Sequence, residues 1–267
     1  MRNTVSQGKV RRGARVAKRK PCNRKKPNYR LLFLIFFVAS MLSAGISYAI
    51  RTPDLVVREV KLYGVRLADK SIIKKSAKAA LGQNIILLKK SPILNKIRQL
   101  SEVSEVQMGR SFPDKAWVRV IERKADCVLT DNKRYYLMQS DGFVFHSVKG
   151  PEKGLPLLIV EKCSPIKIGE VARSLYARDA LEALKCSRKE HLNVDKISVD
   201  PDGDMCLNMG SGFYVKLGQP DDVAGKMSIL RRTLAFRPSI SSEAVYVDIS
   251  CPRAPVWKPK VLTHTAS

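Results

Sequence analysis

The chain has 267 residues, 49 Lys and Arg against 24 Asp and Glu, a formal net charge of +25 and 45% hydrophobic side chains. That apolar content excludes a disordered chain, and the length leaves room for one or two small domains with cores of their own. Residues 1–30 hold 12 of the basic side chains and no Asp or Glu, so the excess charge is concentrated at one end and diluted elsewhere.

Within that basic tail, Arg11 to Lys26 has no aromatic interleaving and no folded nucleic-acid motif, so nucleic-acid binding is not expected. The next segment explains the tail better. Leu31 to Ile50 reads LLFLIFFVASMLSAGISYAI with no charged side chain, and a helix of about 20 such residues spans a bilayer core of about 30 Å. Arg24, Lys25, Lys26 and Arg30 precede it, which predicts a cytoplasmic N-terminus and an extracytoplasmic chain after Arg51. The tail is then an orientation signal that also meets anionic lipid. Tyr29 and Tyr48 stand where an aromatic ring keeps its hydroxyl among the headgroups. The apolar run is too long for a signal peptide, and Ser47-Tyr48-Ala49 fits the A-x-A cleavage pattern poorly, so an uncleaved anchor is expected. Ser40, Ser43, Ala44, Gly45 and Ser47 are read as filler in that anchor rather than as a helix-packing face.

Cys22 falls on the reduced, cytoplasmic side. Cys127, Cys163, Cys186, Cys206 and Cys251 face an oxidising space, which leaves room for one or two disulfides whose pairing the spacing does not determine.

After the span, Leu55 to Tyr63 is β-branched and alternating and stops at Gly64. A helix is predicted from Asp69 as N-cap, with Ile72, Ile73, Ala77, Ala80 and Leu81 as its apolar stripe and Gly82 beyond its end. A second helix opens with Ser91 as cap and Pro92 in the first turn and buries Ile93, Leu94, Ile97 and Leu100. Val103, Val106 and Met108 lead to a turn at Phe112-Pro113-Asp114, followed by alternation of Ala116, Val118 and Val120 with Trp117, Arg119 and Ile121. Two helices can cover one face of such a small sheet only side by side, which makes an α+β layer of about 70 residues.

The order βααββ behind a membrane anchor resembles a POTRA domain, and its motifs are similar to those of the FtsQ/DivIB family. The family's V-x-V-x-G strand end corresponds to Val60, Leu62 and Gly64. Its R-x-W-P-x-x-L-x-V-x-V-x-E-R-x-P stretch corresponds to Arg110, Phe112, Pro113, Ala116, Val118, Val120, Glu122, Arg123 and Ala125, with Phe, Ala and Ala departing from Trp, Leu and Pro. Downstream, Tyr136 to Met138 followed by Gly142-Phe143-Val144-Phe145 resembles the family's G-x-V-F hairpin, and Leu155-Pro156 its LP pair. A helix is predicted from Glu170 to Lys185, with Val171, Leu175, Ala180, Leu181 and Leu184 on its stripe, then a strand through Leu192, Val194, Ile197 and Val199. Pro201-Asp202-Gly203-Asp204 is a turn, strands near 205–208 and 213–217 follow, and Gly218 with Lys226 resembles the family's closing pattern. The last predicted strand is Ala244 to Ser250, because Pro252, Pro255 and Pro259 oppose further regular structure. The expected fold class is α+β: a basic tail at 1–30, a single transmembrane helix at 31–50, a POTRA domain at 55–123, a mostly antiparallel β domain with flanking helices at 124–251, and a flexible tail at 252–267.

No constellation for catalysis is expected. His146, His191 and His264 form no H-E-x-x-H pair. Gly210-Ser211-Gly212 lacks the glycine of a nucleophile elbow, where Met209 stands, and the third glycine of a dinucleotide loop, where Val215 stands. Asp200, Asp202 and Asp204 have the spacing of a calcium loop's first ligands, but Met205 and Ser211 replace its glycine and closing Glu, so a solvated turn is expected. Glu122 and Arg123, adjacent on a strand, point to opposite faces and suit structural use. No catalytic residue, metal, cofactor, small-molecule substrate or nucleic-acid partner is therefore expected.

Binding at a sheet edge remains, where unpaired main-chain groups receive an added strand. The family resemblance implies that the C-terminal face receives the outer segments of the bitopic division proteins FtsB and FtsL, which nominates Tyr246, Val247, Asp248, Ile249 and Ser250, with Trp257 beyond them as an aromatic anchor. Tyr246 and Ile249 also fit ordinary core packing. The resemblance implies a non-enzymatic division scaffold at the septum of the bacterial inner membrane; an export or assembly module and an anchored wall hydrolase are the competing readings.

Overall fold

The computed structural model describes residues 28–161, 165–210 and 212–260. It divides into two units, Met1–Arg51 and Thr52–Ser267. In the first, a helix runs from Tyr29 to Arg51 (α1) and contains both Leu31 and Ile50. Its stretch Tyr29–Tyr48 has mean hydropathy 2.1 and nothing buried. Phe33, Phe36, Phe37, Met41 and Leu42 are all exposed, and a helix apolar on every side is stable only in an apolar solvent.

The second unit begins with a three-stranded sheet. Strands β1 (Glu59–Tyr63), β2 (Val103–Ser111) and β3 (Lys115–Glu122) lie in the order β1-β3-β2, with β1 parallel to β3 and β2 antiparallel to it. Helices α2 (Lys70–Lys78) and α3 (Ser91–Arg98) complete the predicted βααββ order. Asp69 caps α2 by accepting from the Ser71 amide at 2.7 Å. Ile73, Ala77, Ile93 and Ile97 bury the helices' inner faces against Val106, Val118 and Val120, whereas Ile72 and Leu81, predicted on the stripe, are exposed. Gly64 closes β1 at φ +82°, where a Cβ would meet the Val120 carbonyl oxygen at 2.1 Å, so the motif's glycine is a steric requirement.

Two boundaries shift here. The first strand starts at Glu59, because residues 53–55 form a 3-10 turn behind Pro53 and Val56 makes only a bridge to Asn84. Lys90, without a side-chain cap bond, precedes α3, so Ser91 is its first residue rather than its cap. Glu122 serves structure: its carboxylate accepts from the Arg66, Leu67 and Ala68 amides at 2.8, 2.9 and 2.9 Å. Burial pushes its pKa up, but those amides and the Arg66 charge outweigh it and hold the group below its ordinary value.

A ten-stranded sheet follows, in the order β13-β12-β11-β10-β9-β7-β4-β5-β6-β8. Its strands are β4 (Cys127–Thr130), β5 (Tyr135–Met138), β6 (Phe143–Val148), β7 (Leu157–Val160), β8 (Glu170–Val171), β9 (Val194–Val199), β10 (Met205–Met209), β11 (Tyr214–Gly218), β12 (Ala244–Asp248) and β13 (Val256–Pro259). Six of the nine neighbouring pairs are antiparallel; β4-β7, β7-β9 and β11-β12 are parallel. Helices α4 (Leu175–Lys189) and α5 (Val223–Phe236) cover one face, where Leu181, Leu184, Met227 and Leu230 meet Leu158, Ile197, Leu207 and Val215. A short helix α6 (Ile240–Glu243) precedes β12.

The predicted helix start at Glu170 is corrected by five residues. Gly169 adopts φ +88° and its amide bonds to Val144 O, the Ala172 amide bonds to Gly142 O, and Glu170 and Val171 thereby pair with β6 before α4 begins. The two sheets meet through Arg123, which donates to Ser101 O at 3.0 Å and Gln139 Oε1 at 2.8 Å, and through His146 Nδ1, 3.1 Å from Glu102. Cys127, Cys186, Cys206 and Cys251 are free thiols; Cys22, Cys163, Ser211 and His264 lie outside the described residues. Burial pushes the Cys127 thiol up to about 12, which keeps it a protonated, unreactive core residue.

Candidate functional site

The C-terminal end of the ten-stranded sheet differs from its expected form. β12 is not an edge: it pairs with β11 on one side and with β13 on the other. Residues 256–259, expected in a flexible tail, form the terminal strand. Prolines permit this because an edge strand needs main-chain bonds on one side only, and Pro255 and Pro259 bracket a β-branched and aromatic Val-Trp pair. That bracketed pair was the signal in the sequence.

The nominated residues divide between two faces. Val247 and Ile249 are buried in the core beneath α5; the Ile249 amide bonds to Lys216 O at 2.9 Å. Trp257, opposite Val247, packs half-buried against the margin of the same core, with the Arg237 guanidinium 4.8 Å above its ring. Arg237 also donates to Glu243 Oε2 at 3.2 Å, and the Lys260 amide to Glu243 O at 2.7 Å, so β13 is tied down at its far end.

Tyr246 and Asp248 lie on the opposite, uncovered face. Tyr246 stacks on Tyr214 of β11 at 5.5 Å, with Lys216 Nζ 4.7 Å from its ring. Asp248 Oδ1 accepts from the Ser250 amide at 3.0 Å and from its hydroxyl, closing the turn out of β12. Val256 and Lys258 of β13 sit opposite Asp248 and Tyr246. Tyr214, Lys216, Val256 and Lys258 were thus missed as members of this surface, since only strand register places them beside Tyr246. The outer side of β13 has no strand partner among the described residues.

The loop before α5 is organised by Lys226, a cation buried in the core. Its Nζ donates to Gln219 O at 2.8 Å and to Asp221 Oδ1 at 2.6 Å, and that ammonium holds the Asp221 carboxyl below its ordinary value. The three aspartates form a turn: Asp200 Oδ1 accepts from the Asp202 and Asp204 amides at 3.0 and 2.8 Å. Among the described residues no group of three or more His, Cys, Asp or Glu is placed to hold a metal ion.

Two family models match the chain in tandem: the POTRA domain, FtsQ-type, over residues 55–123, and the cell division protein FtsQ/DivIB C-terminal domain over residues 127–250. The chain belongs to the FtsQ/DivIB family. It is similar to the cell division protein FtsQ of Streptomyces bingchenggensis (strain BCW-1), 24% identical over 233 residues covering 86% of each chain. It is also similar to the cell division protein DivIB of Clostridium botulinum (strain Loch Maree / Type A3), 22% identical over 240 residues covering 87% of this chain and 93% of the relative. The FtsQ of Anaeromyxobacter sp. (strain K) is 26% identical over 208 residues, 76% of this chain and 70% of that one. The FtsQ-type POTRA match coincides with the βααββ unit, and the C-terminal match ends at Ser250, so β13 lies beyond the region that the family model describes. Among the described residues one helix, near the N-terminus, is long and apolar enough to cross a membrane, which with the division assignment is consistent with a single-pass membrane protein.

Proposed function

We propose that this FtsQ/DivIB protein is a non-enzymatic scaffold of the division septum, whose folded domains stand outside the cytoplasm and capture the outer segments of FtsB/FtsL-like bitopic proteins by strand addition at β13. The observation that carries the reading is the outer side of β13, unpaired among the described residues, next to the uncovered Tyr214, Tyr246 and Lys258 surface. Main-chain groups there supply affinity, and the neighbouring side chains supply selection. β13 is short and carries Lys258 and Pro259, features that discourage unspecific pairing. An incoming strand must therefore bring compensation: an apolar contact for Val256 and an acidic group for Lys258 or Lys216.

The full chain, purified in detergent, is titrated with a synthetic peptide of an FtsB/FtsL-like outer segment. Val256→Ser is expected to weaken binding by about tenfold, the effect of losing one apolar anchor, with the thermal midpoint unchanged because Val256 is exposed. Unchanged affinity would remove β13 as the docking edge. Ile249 is unsuited to this test, since a charge there would unfold the core in which it is buried.

A further inference from the structure

The POTRA domain has two ends, set by strand direction. Residues 52–54 alone join α1 to Leu55, a reach of about 11 Å at full extension. The segment leaving them is clasped by the loop between the two helices: the Val57 amide bonds to Gln83 O at 2.9 Å, the Gly82 amide to Val57 O at 3.0 Å and the Ile85 amide to Leu55 O at 2.7 Å. β1 then runs away from this end, and its first residue, Glu59, sits opposite Lys115 at the tip of the β2-β3 hairpin. The Arg58 amide bonds to Asp114 O at 2.8 Å, and Arg110 reaches Leu88 O at 3.3 Å. The helix loop and the hairpin tip therefore share the end at which the chain enters the domain, while Glu122 and the passage into the second sheet occupy the other.

The entry end exposes apolar side chains which no domain core requires. Phe112 is 63% exposed, Leu87 54% and Ile86 41%. Basic residues flank them: Lys78 ends α2, and Lys89 and Lys90 precede α3. From Lys70 to Arg98 there is no acidic residue, and none of these three lysines is in an ion pair among the described residues. The acids at this end are Asp54, Asp114 and Glu59, the last paired with Lys115 at 3.2 Å. Apolar tips ringed by unpaired lysines, on a loop hydrogen-bonded to the chain just leaving the membrane, match an interfacial contact with lipid.

We propose that the loop Leu81–Lys90 and the hairpin tip at Phe112 dock on the bilayer carrying α1. Ile86, Leu87 and Phe112 enter the interface, and Lys78, Lys89 and Lys90 meet the headgroups of anionic phospholipid.

The test is hydrogen exchange of the full chain in detergent, in phosphatidylcholine vesicles and in mixed phosphatidylcholine and phosphatidylglycerol vesicles. Amides of residues 86–90 are expected to exchange about tenfold more slowly in the mixed vesicles than in detergent, with residues 205–218 unchanged as an internal reference. At roughly fivefold per lysine near an anionic surface, the double variant Lys89→Gln, Lys90→Gln is expected to lower the docking equilibrium by about 25-fold and abolish the difference. Leu87→Ser, at an exposed position, is expected to reduce it with the thermal midpoint unchanged. Equal exchange in detergent and mixed vesicles would overturn the proposal. So would protection indifferent to lipid charge in both the parent and the double variant, or protection that appears only when another division protein is added.

Discussion

The two sheets of the second unit end in different ways. The POTRA sheet is short, its middle strand β3 is paired on both sides, and the exits of its elements are held by carboxylates: Glu122 on the 66–68 backbone and Asp69 on α2. The ten-stranded sheet has one such clamp near its C-terminal end, Asp248 on the Ser250 amide, and none on its last strand among the described residues. It runs out into a strand of four residues, held on one side by β12 and at its far end by Glu243. Both sheets leave edge strands with a single neighbour among the described residues, β1 and β2 in the first and β13 and β8 in the second, but carboxylates fix the POTRA elements where they turn, whereas β13 is held by its ladder to β12 and by Glu243. The first region is therefore pinned by local contacts, and the second rests on strand pairing at its margin.

Three substitutions test that contrast. Gly64→Ala should have the largest effect, because it combines an unfavourable positive φ with a Cβ placed against the Val120 carbonyl; a loss of about 3 kcal/mol or more is expected in chemical denaturation. A loss under about 1 kcal/mol would mean that the POTRA sheet yields more readily than its clamps suggest. Lys226→Met should come next, costing about 1–3 kcal/mol by stripping Gln219 O and Asp221 of a charge-assisted donor. It should also raise hydrogen exchange in residues 218–222, beside β12, while leaving the POTRA amides unchanged.

Glu122→Gln should be the smallest, about 1–2 kcal/mol at neutral pH, and it has a pH signature. The carboxyl is held below its ordinary value of 4.5, so the folded state binds its proton less readily than the unfolded chain does. Its contribution is present in full above that ordinary value and is lost as pH falls through the lower folded one. Parent and variant should therefore converge in stability on acidification, read as midpoints of thermal unfolding across pH 3–7, about the range where carboxylates titrate. A gap that stays constant with pH would show that the three amides prefer a carbonyl oxygen as much as a carboxylate.

Much of the POTRA domain was legible in the sequence because its signals are local. Asp69 before the helix, Pro92 in the first turn of the next, Gly64 after β1 and the alternation from Ala116 to Ile121 are each settled within a few residues of the chain. Apart from local shifts at Glu59 and Ser91, the errors occurred where a distant partner decided the outcome. Glu170 and Val171 sit at the head of a helical pattern, yet pairing with Phe143 and Val144 draws them into a strand. Residues 256–259 carry a proline on either side, yet β12 offers a ladder that needs bonds from one side only. Of the nominated site, Tyr246 and Asp248 reached the open face, whereas Val247 and Ile249 turned inward, because alternation is visible in a sequence but the direction of the core is not.

By itself the amino-acid sequence determined the membrane helix, the βααββ unit and the order of most later strands, since hydrophobic period, caps and turn residues act over distances of a few residues. Only the tertiary structure decided which strand owns the edge, which side of β12 faces the helices, and that Phe112, Leu87 and Lys90 share one end of a domain. Those outcomes depend on pairing and register between segments tens of residues apart, where the free energy lies in contacts that no local pattern records.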